Sequence, residues 1–89
     1  MNKITPDTIR SWKGTGRQIS ALTAYDFATA KLLDEAEIDL LLVGDSLGMT
    51  VLGYPNTTQV QIQDIIHHTR AVARGVSAAL IVAPPYPQL

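Results

Sequence analysis

Three apolar runs punctuate the chain, each long enough for one strand: Ile19 to Ala24, Ile38 to Val43 and Ala78 to Ala83. Between them the apolar spacing becomes helical. Phe27, Ala30, Leu32 or Leu33, and Ala36 predict a helix from Phe27 to Glu37, with Asp26 as its cap. Ile62, Ile65, Ile66, Thr69, Val72 and Ala73 predict another from Gln61 to Arg74, stopped by Gly75. A shorter helix is expected near the start, where Thr5 caps, Pro6 fits the first position and Asp7 favours the positive helix end. Ile9 and Trp12 then share a face, and Gly14 closes the helix. The second run is nearly all apolar, as a parallel strand covered on both faces should be, and helices alternating with strands demand parallel strands with right-handed crossovers. The expected class is α/β, the opening of an α/β barrel or of a doubly wound sheet, with residues 1–89 forming a single partial domain.

Composition narrows the chemistry. The 89 residues are 46% hydrophobic and 17% charged, with mean hydropathy +0.12. A net charge of −1 gives no electrostatic case for nucleic acid or an anionic membrane. Without cysteine there is neither a disulfide framework nor a thiolate metal site. No apolar run approaches the roughly 18 residues of a membrane span, and Met1 to Pro6 lead into no signal core, so a cytoplasmic protein is expected.

Candidate chemistry concentrates after the second run, in Gly44-Asp45-Ser46-Leu47-Gly48. Parallel α/β sheets bind ligands at the carboxyl ends of their strands. Gly44 and Gly48 could take backbone angles closed to other residues and admit a ligand. The connection from Gly44 to about Thr58 far exceeds the usual 2–6 residues or so, as functional loops do. Asp45 suits a hard cation such as Mg²⁺, which takes one or two carboxylates plus water and substrate oxygens. Ser46 could hold a substrate oxyanion by its hydroxyl or its backbone N–H. The competing possibility is that both residues only satisfy turn backbone groups. The stretch also matches the G-x-S-x-G of serine hydrolases, but Gly48, Gly53 and Pro55 interrupt the helix an elbow needs, and Asp64, His67 and His68 share one helix.

Other candidates are weaker. Lys13 to Arg17 lack phosphate-loop spacing and follow no strand, so they read as a connection. Tyr25 lies at a strand end where a ligand could reach it, and packing explains it equally well. His67 and His68 point about 100° apart on a helix and cannot share a metal; one is expected solvated, the other half-buried.

The motifs Thr23-Ala24-Tyr25-Asp26, Leu42 to Met49 with Gly53, and Asp64 through His68-Thr69, Ala71-Val72 and Arg74-Gly75 resemble the N-terminal part of the ketopantoate (3-methyl-2-oxobutanoate) hydroxymethyltransferase family. The resemblance runs from about Thr5 to Ala83. It implies a (β/α)₈ barrel in a homo-oligomer, a decamer in its well-known bacterial form. The implied reaction transfers a hydroxymethyl group from 5,10-methylenetetrahydrofolate to 3-methyl-2-oxobutanoate, giving 2-dehydropantoate on the way to pantothenate. Asp45 would then be one of two aspartates on Mg²⁺ and would also contact the keto acid, and Ser46 would bind that substrate. Metal polarisation of the keto acid would favour the enolate that attacks the one-carbon unit.

One departure matters. The family's third strand ends in Ala-Asp-(Leu or Met)-Pro-Phe, its aspartate being the second metal ligand. Here Ala83 is followed by Pro84-Pro85-Tyr86-Pro87-Gln88-Leu89, a run unable to start a normal helix. The family's lysine and carboxylate base come from later strands, and a full barrel takes about 200 residues or more. The expectation is therefore a truncated or divergent fragment, inactive alone. The alternatives are a non-catalytic remnant of the family and, least favoured, the serine hydrolase.

Overall fold

The computed structural model describes residues 3–84. The stretch from Pro85 to Leu89 therefore lies outside the described residues. Helix α1 (Pro6–Ser11) begins at the predicted Thr5 cap, with Thr5 and Thr8 bonding reciprocally. Strand β1 (Ala21–Thr23), helix α2 (Phe27–Glu35), strand β2 (Leu40–Leu42), short helix α3 (Leu47–Thr50), helix α4 (Ile62–Gly75) and strand β3 (Leu80–Val82) follow. The sheet is parallel in the order β1-β2-β3, with Leu22, Leu41 and Ile81 in one row and Thr23, Leu42 and Val82 in the next. This is the α/β class expected. No helix of the described residues is long and apolar enough to cross a membrane.

The core lies on one face of the sheet. Leu41 and Val43 of the central strand are fully buried against Ala30 of α2 and Ile65 and Val72 of α4. The alternate residues Leu40, Leu42, Leu80 and Val82 are only half-buried. The strands were expected to be covered on both faces, and here helices cover one. β1 departs furthest: Ala21, Leu22 and Thr23 are all exposed, whereas the other edge strand, β3, is half-buried throughout.

The helical stripes are narrower than their sequence spacing suggests. In α2, Ala30 and Asp34 are buried and Leu33 half-buried, while Phe27, Leu32 and Ala36 are exposed. In α4, Ile65 and Val72 are buried with Thr69 half-buried, while Ile62, Ile66 and Ala73 face outward. Gly75 is not a left-handed stop but the last residue of α4. A methyl group there would lie 2.7 Å from the Phe27 carbonyl oxygen and 3.0 Å from the Lys31 nitrogen. Glycine at 75 thus lets α4 meet the backbone of α2 directly.

α2 ends earlier than predicted. Ile38 N–H donates to the Leu33 carbonyl (3.1 Å) and Glu37 N–H to that of Asp34 (3.0 Å). This is a Schellman cap, with Ile38 and Leu33 both against the core. Its left-handed position, usually glycine, is Glu37 at φ 65°, at a cost of about 1–2 kcal/mol.

Two aspartates organise the amino end of the sheet. Asp34, 4% exposed, accepts from the N–H groups of Ser77 (3.0 Å), Ala78 (3.0 Å) and Ala79 (2.8 Å) and from the Ser77 hydroxyl (3.0 Å). Burial pushes its carboxyl upward, but these bonds outweigh that and hold it below its ordinary value. Asp39, 6% exposed, accepts from Ser20 N–H, the Ser20 hydroxyl and Arg17. The Arg17 guanidinium also stacks 3.7 Å from the Trp12 ring. The Lys13–Arg17 segment is thus a connection, with its arginine already engaged.

Candidate functional site

Parallel strands deliver their carboxyl ends to one edge. There Ala24-Tyr25-Asp26 follow β1, Val43-Gly44-Asp45-Ser46 follow β2 and Ala83-Pro84 follow β3. Ala24 N–H donates to the Leu42 carbonyl (3.0 Å) and Val43 N–H to that of Val82 (2.9 Å), so the ladder continues into these ends.

Asp45 and Ser46 are exposed at this edge, as predicted. The ion pairs among the described residues are Arg10–Asp7 and Arg17–Asp39, so no basic side chain neutralises Asp45. Its carbonyl accepts from Gly48 N–H (3.0 Å) in the first turn of α3. The carboxylate itself has no hydrogen-bond partner among the described residues, which leaves a hard oxygen donor free for a ligand. Among the described residues no group of three His, Cys, Asp or Glu side chains could hold a metal ion. The donor set at this end is thus one free carboxylate, which fits Mg²⁺ only with water and ligand oxygens completing its shell. Pro84, two residues past the end of β3, has no oxygen in its side chain.

Ser46 has ordinary helical angles, φ −58° and ψ −15°. A nucleophile elbow requires a strained turn and a histidine base. A short helix does follow Ser46, contrary to expectation, but the backbone is relaxed and the hydroxyl meets the Tyr25 phenol. His68 is engaged elsewhere, its Nδ1 lying 2.7 Å from the Tyr25 carbonyl oxygen. The hydrolase geometry is not present among the described residues.

Asp26 and His68 at this edge are each held by a hydrogen bond. Asp26 caps α2 through Thr29 N–H (2.7 Å) and the Thr29 hydroxyl (3.2 Å), as predicted. The Thr29 backbone bond, then the Thr29 hydroxyl, hold its carboxyl below the usual carboxylate range. His67 is exposed and His68 half-buried, as predicted. Sequence reasoning missed the pairing of Tyr25 with Ser46 and of His68 with the Tyr25 backbone. Its signal was only that both tyrosine and serine sit just past strand ends.

The loop after β2 is folded back on itself. Leu47 is fully buried, and a methyl group at Gly48 would overlap the Val60 side chain, 2.2 Å away. Gly48 therefore serves close packing rather than an unusual backbone angle or a ligand's approach. Tyr54 N–H donates to the Gly48 carbonyl (2.7 Å), pinning the loop behind Asp45 and Ser46.

A family model described as ketopantoate hydroxymethyltransferase matches residues 3–86. A relative from Thermoanaerobacter sp. (strain X514), named 3-methyl-2-oxobutanoate hydroxymethyltransferase, is 59% identical over 81 residues, 91% of this chain and 30% of its own length. Proteins of the same name from Acetivibrio thermocellus and Synechococcus elongatus are 56% and 59% identical, over 92% and 90% of this chain and 29% and 30% of theirs. The chain thus spans about 30% of the length of the curated relatives it matches.

Proposed function

This chain belongs to the ketopantoate hydroxymethyltransferase family, and we propose that it forms the first strands of a (β/α)₈ barrel serving that reaction. The substrates would be 5,10-methylenetetrahydrofolate and 3-methyl-2-oxobutanoate, the product 2-dehydropantoate, and the working form a homo-oligomer in the cytoplasm. One observation carries the reading: the exposed, unpaired Asp45 beside Ser46 at the carboxyl end of β2.

Asp45 would hold Mg²⁺, which when bound supplies polarisation of the keto acid's carbonyl and so eases loss of the neighbouring C–H proton. Ser46 would fix an oxygen of the keto acid through its hydroxyl, orienting the substrate against the strand end. Neither Asp26 nor His68 suits the base. Asp26 is tied to Thr29 with a depressed pKa, and His68 Nδ1 is tied to Tyr25. The base and the folate site would come from strands outside these residues. The second reading is a non-catalytic remnant of the family.

Isothermal titration with Mg²⁺ in the presence of 3-methyl-2-oxobutanoate tests the assignment. Weak binding lost in Asp45→Ala is expected, and equal binding by both proteins would sink it. An assay of the 89-residue chain for ketopantoate formation should stay at background. Turnover abolished by Asp45→Ala would instead mean that a partner chain supplies the missing groups.

A further inference from the structure

Ser46 begins a helical turn, where a serine hydroxyl ordinarily accepts from a backbone N–H two or three residues on. Here it makes no capping bond and points across the sheet edge to the Tyr25 phenol. Both ends of that contact are anchored. The Ser46 carbonyl accepts from Met49 N–H (3.0 Å), Thr50 N–H (3.1 Å) and the Thr50 hydroxyl (3.1 Å). The Tyr25 ring packs on the core, and its carbonyl meets His68 Nδ1 at 2.7 Å. The contact therefore joins two pinned backbones rather than two free side chains.

A phenol is more acidic than an alcohol and the better donor of the two. We propose that Tyr25 is a positioning residue that donates its O–H to Ser46 Oγ, leaving the Ser46 hydrogen aimed outward for an oxygen that can only accept. The subsite is thereby biased towards a carboxylate or carbonyl oxygen and against a hydroxyl that must donate. Donation into Oγ also polarises the serine O–H and strengthens the outward bond. The inference rests on the keto-acid reading of Ser46 and assigns Tyr25 a role that acts only through that residue.

Tyr25→Phe removes one oxygen and keeps the packed ring. Titration of the 89-residue chain with 3-methyl-2-oxobutanoate and Mg²⁺, followed by ¹H–¹⁵N spectra that also report folding, should show about threefold to tenfold weaker binding in this variant. Ser46→Ala should lose at least as much. The double variant should bind no more weakly than Ser46→Ala, since the tyrosine acts through the serine. Unchanged affinity in Tyr25→Phe, or losses that add in the double variant, would overturn the proposal. The Ser46 Cβ resonance supplies a readout that needs no ligand. It should move in Tyr25→Phe, and a resonance that stays in place overturns the positioning role. If the parent chain binds no keto acid while that resonance moves, the substrate reading of Ser46 fails and the Tyr25–Ser46 coupling stands.

Discussion

At the amino end of the sheet, Asp34 and Asp39 are nearly buried, and seven hydrogen bonds are donated to their carboxylates from Ser77, Ala78, Ala79, Ser20 and Arg17. At the carboxyl end, Asp45 is exposed and no described residue neutralises it. The same side chain does opposite work at the two ends. Where the backbone supplies converging donors, the charge staples α2 and β2 to the segments beside them. Where the described residues supply none, the charge stays exposed to solvent. A carboxylate buried without such donors would cost far more than it returned.

Breaking the amino-end staple should have the largest effect. Asp34→Ala strands the N–H groups of buried Ala78 and Ala79 and loses both bonds from Ser77, and should cost about 3 kcal/mol or more in urea unfolding. Acid should imitate the mutation. Because the folded pKa of Asp34 lies below its ordinary 3.8, its contribution is fully present above that value and is lost as pH falls towards the folded one. Unfolding midpoints measured from pH 6 downward should fall more steeply in the parent than in Asp34→Ala. Gly75→Ala should come next, at about 1–3 kcal/mol, because backbone rather than a flexible side chain blocks the new methyl group.

Smaller effects sharpen the contrast. Glu37→Gly should stabilise the chain by about 1 kcal/mol, by relieving the left-handed residue of the Schellman cap. Asp45→Ala should change unfolding free energy by no more than about 0.5 kcal/mol while removing Mg²⁺ affinity. A large loss of stability in Asp45→Ala would erase the distinction between the two ends.

Much of this was legible in the chain itself. The nearly all-apolar run Ile38–Val43 announced a central strand, and Thr5 and Asp26 announced their caps. Asp45 and Ser46 were legible because glycines and a long loop follow a strand. Asp34 was not, since helical spacing marks apolar residues and its partners lie 43 to 45 positions away. Glu37 hid the end of α2 because glycine, the usual signal, is absent. Phe27, Ile62 and Ile66 misled for the opposite reason, since periodicity identifies a face without saying that anything covers it. The Tyr25–Ser46 contact joins residues just past the ends of two different strands, and only the pairing of those strands brings them together.

The Asp34 network also bears on how the chain acquires its structure. During synthesis α2 emerges carrying a carboxylate whose acceptors' partners have not yet been made. Helix α2 and strands β1 and β2 can associate early, but this charge has none of its mates until Ser77 has left the ribosome and lacks the last until Ala79 has. The last donors therefore act as a latch on a long-range closure, the slow kind of contact in a folding reaction. A nascent chain halted before residue 77 should be open to proteases along α2, and one halted well after residue 79 should not.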